Sequence, residues 1–170
     1  MEKLIRPATL EDAKQIGYVH YTAWQETYTG LIDAEFLAGL SAERSTKMAE
    51  GFWQNMSVAV YDGKIVGMCG ISASRDADTP DAGEVQGIYL LQEAQGKGLG
   101  RMLMEDALKR LKDAGYTEVT LWVLKGNDKA MCFYEKAGFA PDGAEKTDAR
   151  VMPLSGRQCC LTELRYRREI

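Results

Sequence analysis

A three-layer α/β (α+β) domain, with a mixed sheet and helices on its faces, is the fold class this sequence predicts. Three observations carry that expectation. Short β-branched or aromatic runs alternate with longer segments of helical apolar spacing, in the order βααββ–β–α–β–α–ββ. Asp62-Gly63 joins two apolar runs as a hairpin, because a type I′ turn needs φ > 0 at both central positions. The chain has 170 residues, 45% hydrophobic and 27% charged, a length and balance that suit one core without disulfides or a structural metal. One domain over residues 1–170 is therefore expected.

The elements follow in order. A short strand at Leu4–Arg6 leads to Thr9 as N-cap of a helix, with Asp12 in its first turn and Ile16, Val19 and Ala23 on its buried face. Ala34–Leu40 and Ala42–Trp53 read as a short helix and a longer one. Ser57–Tyr61 and Lys64–Ile71 form the hairpin. Arg75–Gly83, rich in Asp, Pro and Gly, reads as a loop. Glu84–Leu91 is a strand, and Leu99–Ala114 is an amphipathic helix closed by Gly115. Glu118–Leu124 is a strand, and Asn127 caps a helix that Gly138 ends. Arg150–Leu154 and Cys159–Arg167 are candidate strands, with Ala140–Gly156 otherwise read as loop. Arg165, Arg167 and Arg168 read as an exposed strand face and tail.

Charge and cysteine usage narrow the function. Lys plus Arg is 21 against 25 Asp plus Glu, a net charge of −4, which lacks the basic footprint of a nucleic-acid binder. Cys69, Cys132, Cys159 and Cys160 show no CxxC spacing and His20 is the single histidine, so no metal site is expected. His20 reads as a structural or solvent-facing residue. No apolar run approaches the roughly 18–20 residues that span a bilayer, and Met1–Pro7 lacks a signal-peptide core. A soluble, cytoplasmic protein with no membrane partner is expected.

Gln95-Gly96-Lys97-Gly98-Leu99-Gly100-Arg101, between a strand and an amphipathic helix, is the most informative stretch. Glycines allow φ > 0 and bring a ligand close to the backbone. N–H groups converging at a helix start then favour an anion, so the turn is suited to phosphate. GxxxxGK[ST] is absent, and GxGxxG fails from both Gly96 and Gly98, which disfavours a P-loop enzyme or a dinucleotide fingerprint.

Gln95, Gly98 and Gly100 do satisfy (Q/R)-x-x-G-x-(G/A), and here the sequence resembles the GCN5-related N-acetyltransferase (GNAT) superfamily. Trp122-Val123-Leu124, Asn127 and Ala130–Phe139 look like that family's fifth strand and N…FYxxxGF helix. Motif matching covers about Glu84–Phe139, and Gln92 departs from the pattern where proline is common. The resemblance implies a mostly antiparallel mixed sheet, splayed where acetyl-CoA binds. It places the pyrophosphate on Gln95, Gly96, Lys97, Gly98, Leu99, Gly100 and Arg101, and the pantetheine arm beside Ile88, Tyr89 and Leu90. Asn127 would touch the far end of that arm.

The activity so implied is acetyl transfer from acetyl-CoA to a primary amine of a small molecule or peptide, by direct attack in a ternary complex. No metal is implied. A lysine-like amine of pKa about 10.4 must lose a proton first. Glu84, eleven residues before Gln95, stands where some relatives place that base, although another carboxylate or a water chain also serves in the family. Tyr134 corresponds to the tyrosine that protonates the departing thiolate. A backbone N–H of Ile88 or Leu90 would hold the oxyanion. Trp24 and Tyr28 are candidates for the acceptor wall, and the acidic stretch Asp76–Glu84 points mildly to a cationic acceptor. A homodimer is compatible with the family. The competing reading is a non-catalytic acyl-CoA-binding regulatory domain.

Overall fold

The structure, a computed structural model, describes residues 2–152 and 154–170. One seven-stranded sheet runs through it in the order β1-β2-β3-β4-β5-β7-β6. The strands are β1 (Lys3–Pro7), β2 (Met56–Tyr61), β3 (Lys64–Ala73), β4 (Gly83–Leu90), β5 (Glu118–Leu124), β6 (Ala140–Val151) and β7 (Gln158–Glu169). Every neighbouring pair is antiparallel except β4 and β5, so the sheet is mixed as expected. The helices are α1 (Ala13–Tyr28), α2 (Ala34–Ala38), α3 (Ala42–Phe52), α4 (Leu99–Asp113) and α5 (Asp128–Lys136).

Local chemistry explains most boundaries. Asp62 (φ 48°) and Gly63 (φ 78°) make the two-residue turn between β2 and β3. α1 opens one turn later than expected, after a 3-10 turn at Leu10–Asp12. The Asp12 carboxylate accepts from the Thr9 N–H at 2.8 Å and from Arg6 Nη1 at 2.6 Å, tying helix entry to β1. Asn127 caps α5 by accepting from the Ala130 N–H at 3.3 Å.

Three readings change. Of the strand expected at Arg150–Leu154, only Arg150 and Val151 belong to one, as the end of β6; Leu154 lies in a turn and Pro153 falls outside the described residues. Ala140–Ala149, expected as loop, is most of β6, a twelve-residue edge strand paired with β7 and exposed along nearly its whole length. Its Pro141, Gly143 and charged residues give no apolar alternation, because this strand has little core to face. Arg165 is buried at 4% exposure rather than lying on an open face. Its guanidinium pairs with Asp78 and Asp142 at 2.7 Å and Asp76 at 3.3 Å, while Trp122 Nε1 donates to Asp76 at 2.9 Å. The loop after β3 is thereby fastened to β5 and β7.

A register slip sets the faces of β4. Gly87 pairs with Gly70 but Val85 pairs with Ile71, so Gln86 is the extra, bulged residue. Glu84, Gly87 and Tyr89 consequently share a face with Met68, Gly70 and Ser72, whereas strict alternation would set Glu84 with Ile88 and Leu90. α3 packs on that first face, where Phe52 stands 3.3 Å from the position of a Cβ on Gly70. α4 packs on the other, where Leu90 and Leu111 lie against Gly100 and Gly83. Helices thus cover both faces.

α1 and α3 cross closely because Gly17 has no side chain. A Cβ there would stand 2.6 Å from the Thr46 backbone nitrogen, whereas a Cβ on Gly51 would meet nothing within 4 Å. Alanine improves helix propensity by about 1 kcal/mol at either site. At Gly17 the overlap with backbone costs about 1–3 kcal/mol or more and wins. Thermal unfolding should therefore show a lower Tm for Gly17→Ala and an equal or higher one for Gly51→Ala; a raised Tm for Gly17→Ala would mean the helices part freely.

Candidate active site

β4 and β5 pair at only three positions, Gly83 with Val119, Glu84 with Thr120 and Val85 with Leu121. Beyond them the strands diverge, so Ile88, Tyr89 and Leu90 keep their ladder to β3 but have no strand partner on the β5 side, where the Leu90 carbonyl accepts from Gln95 Nε2 at 3.3 Å. An open edge inside a sheet is a template for an extended, amide-bearing ligand.

The glycine-rich turn lies at the start of α4. Gly96 (φ 73°) and Gly98 (φ 82°) adopt left-handed backbone, and an added Cβ at either would meet no protein atom within 4 Å. Gly98 is the N-cap residue of α4 and no side chain caps that end. The first-turn amides of Leu99, Gly100 and Arg101 therefore lack intrahelical acceptors. Lysines bracket the turn: Lys3 Nζ donates to the Lys97 carbonyl at 2.6 Å, Lys97 Nζ to the Glu93 carbonyl at 2.5 Å, and Lys129 Nζ to Gln95 Oε1. Gly100 serves packing, since a Cβ there would press on Leu90 at 3.1 Å and Phe133 at 3.4 Å. Open amides, a helix dipole and three ammonium groups together fit a pyrophosphate.

Rings gather where β4 diverges. Trp24 packs edge-on to Tyr28 with centroids 4.6 Å apart, and His20 to Tyr89 at 5.2 Å. Burial pushes the Tyr28 and Tyr89 phenols up, and each acts on the other's ionisation. Tyr134, buried on α5 between Phe133 and Phe139, is also pushed up by burial, with Tyr28 and Cys69 adding to the shift. Burial raises the Cys69 thiol to about 12. This interior therefore keeps phenols and thiols protonated. Trp24 Nε1 is the one buried side-chain N or O atom without a hydrogen-bond partner among the described residues.

A cavity of about 510 Å³ opens on the α1–α3 face of the sheet, over the bulge at Gln86. Trp24 and Tyr89 line it, as do His20, Ser45, Arg44 and Gln86, none of which the sequence analysis placed in a site. His20, Trp24 and Tyr28 recur every four residues on α1, a ring stripe that was the available signal. Asn127, 8% exposed, spends its carbonyl oxygen on the α5 cap.

Glu84 is 1% exposed and is not free. Arg75 Nη2 donates to its Oε1 at 2.5 Å, Arg75 Nε lies 3.2 Å from both oxygens, and the Arg75 N–H donates to Oε2 at 3.1 Å. The Arg75 guanidinium is pushed up in turn, first by this hydrogen bonding. Both carboxylate oxygens are thus already engaged by Arg75, in charge-assisted contacts that turn them away from an incoming substrate. Among the described residues no group of three or more His, Cys, Asp or Glu could hold a metal ion, and no helix is long and apolar enough to cross a membrane.

A splayed sheet beside an uncapped glycine turn defines the class, and comparison with known proteins agrees. Residues 18–139 match the Acetyltransferase (GNAT) family, and the chain belongs to it, an acyltransferase family. It is 31% identical over 137 residues to the uncharacterized N-acetyltransferase YuaI of Bacillus subtilis, covering 77% of this chain and 76% of that protein. It is 29% identical over 159 residues to the probable N-acetyltransferase Rv2775 of Mycobacterium tuberculosis, covering 89% and 86%. The PaiA N-acetyltransferase of Thermoplasma acidophilum, solved in complex with coenzyme A, shares the fold over 100% of both chains, with TM-score 0.80 and 20% identity.

Two measurements test these environments. Burial holds His20 at about 4 against 6.5 unfolded, while its Nδ1 lies 2.9 Å from Ser45 Oγ. The unfolded chain then binds the extra proton, so stability is full above pH 6.5 and falls as pH drops from 6.5 through 4, by up to about 3 kcal/mol. Urea unfolding of His20→Asn should show a shallower fall over that window; parallel curves would mean that folding leaves the imidazole as easy to protonate as before. For Glu84→Gln, loss of the Arg75 pair should lower Tm while the pH–rate profile for transfer keeps its position. An alkaline shift of that profile would instead make Glu84 the base.

Proposed function

We propose that this protein transfers the acetyl group of acetyl-CoA to a primary amine, both bound at once. The divergence of β4 from β5 beside the uncapped turn at Gln95–Arg101 is the observation that carries this reading. The turn residues would hold the pyrophosphate, and the open edge of Ile88, Tyr89 and Leu90 the pantetheine amides. Asn127 would stand near the arm's far end. The CoA-bound Thermoplasma acidophilum relative supports the choice of donor.

The amine nitrogen attacks the thioester carbonyl, the carbon–sulfur bond breaks, the nitrogen loses a proton and the departing sulfur gains one. Developing charge on the carbonyl oxygen meets a main-chain N–H of Ile88 or Leu90, a donor already in place. Tyr134 supplies the proton to sulfur. Its raised pKa keeps it protonated until needed, and a thiol of about 8.5 in water is itself made more basic by the same burial. Cys69 shows how far this interior moves a thiol. Because Arg75 occupies Glu84, we assign removal of the amine proton to water at the cavity mouth, with Glu84 as an anchor of the loop after β3.

Tyr134→Phe keeps the packed ring and removes only the donor. With acetyl-CoA, kcat should fall by roughly 10²-fold with little change in KM for the donor, measured by thiol release. An acetyl thioester of a much more acidic thiol should recover most of that rate. Equal losses with both donors would mean that Tyr134 positions the thioester. Binding of acetyl-CoA by calorimetry without thiol release across a broad amine panel would favour a non-catalytic acyl-CoA sensor.

A further inference from the structure

The cavity over the β4 bulge carries an unequal charge count, and the acetyltransfer reading makes it the acceptor's site. Glu35 is the one carboxylate on its wall among the described residues, and it is committed. It accepts from the Leu154 and Ser155 N–H groups at 2.9 and 3.0 Å, with Arg157 3.7 Å away. Arg150, at the rim, is neutralised by Asp148 at 2.7 Å and lies over the Phe36 ring. Arg44 differs. Its main-chain N–H is held by Ser41 Oγ at 3.2 Å, while its guanidinium has no ion-pair partner among the described residues. The remaining wall carries uncharged polar groups, among them Ser45 and Gln86, and an apolar part where Phe36, Met48, Phe52 and Met68 line the space.

The acidic stretch read in the sequence as a lure for cations does not reach this cavity in a free form. Asp76 and Asp78 are spent on Arg165, and Glu84 on Arg75. A polycation would therefore meet apolar walls and one uncompensated positive charge, with no anion to receive it.

We propose that the acceptor is an amphiphilic amino acid, an amine with a carboxylate a few bonds away and an apolar body, and that Arg44 selects it by pairing with that carboxylate. The planar guanidinium suits a carboxylate in two-point contact. The apolar body lies on the thioether and aromatic wall. The amine is thereby turned toward β4, along the line on which His20 bridges Ser45, the neighbour of Arg44, to Tyr89.

Matched pairs isolate the carboxylate: phenylalanine with phenethylamine, and leucine with isopentylamine, alongside spermidine, each assayed by thiol release from acetyl-CoA. The amino acids should exceed their decarboxylated partners by tenfold or more in kcat/KM, with spermidine lowest. Arg44→Gln should raise KM for the amino acids about tenfold, leave kcat nearly unchanged and barely affect the plain amines. Arg44→Lys should recover part of the loss, and Arg44→Glu should reverse the order of the pairs. Circular dichroism and acetyl-CoA calorimetry on each variant report folding and donor binding independently. Equal or better use of the decarboxylated amines, or an Arg44→Gln loss shared by both members of a pair, overturns the proposal while leaving acetyltransfer standing. Acetyl-CoA binding without thiol release from any acceptor overturns both.

Discussion

Parallel pairing of β4 with β5 ends at Val85 and Leu121, and the rest of the site depends on that loss of hydrogen bonds. Leaving main-chain groups unpaired within a sheet costs free energy unless water or a ligand replaces the partner. The bulge at Gln86 shifts β4 at the same point, turning Gly87 and Tyr89 toward the α1–α3 side while Leu90 packs on the α4 side. One short strand segment thus provides an open edge, one wall of a cavity and, through Leu90, a seat for the first turn of α4. Gly100 lets that turn approach Leu90 and Phe133 closely, so the phosphate-fitting amides are held at a set distance from the open edge.

Two guanidinium groups hold the frame around this gap. Arg165, pushed up chiefly by its hydrogen bond to Asp78, joins the loop after β3 to β6 as well. Arg75, from the same loop, covers Glu84 at the start of β4. Loss of a partner strands a buried charge only at Arg165 or Glu84, since Asp78 and Arg75 are themselves solvent-exposed, whereas exposed i,i+4 pairs such as Lys109 with Asp113 contribute little. The acidity of Asp76, Asp78 and Glu84 is therefore architectural. Read linearly they resemble a cation-attracting surface, because sequence shows the carboxylates and hides their pairing with Arg165 and Arg75.

That difference between local and distant information runs through the whole chain. Asp62-Gly63, the amphipathic span of α4 and the glycine turn are specified by neighbouring residues, and the structure has them where the sequence analysis put them. β6 was missed because its pairing with β7 depends on main-chain hydrogen bonds across a long hairpin and not on an apolar face of its own. The burial of Arg165 escaped for a related reason, since three aspartates from two separate segments create its environment. The cavity was half legible: Trp24 belongs to an α1 stripe visible in the sequence, but Arg44 and Gln86 enter only through a helix crossing at Gly17 and a one-residue bulge.

Proton chemistry in this interior follows from the same packing. Burial disfavours every charged form, so it pushes the His20 imidazole down to about 4 and the Tyr28, Tyr89 and Tyr134 phenols up. An ammonium entering beside these groups faces the same penalty as protonated His20. Its pKa falls as it leaves water, and the free base becomes easier to reach near neutral pH. On the proposed reading, desolvation thus does part of the work that a strong carboxylate base would do. An engaged Glu84 is then compatible with transfer, and the acceptor's carboxylate would meet Arg44 on the solvent-exposed side of the cavity. The two ends of the reaction draw on one cause: the environment that favours loss of a proton from nitrogen also favours its gain by sulfur.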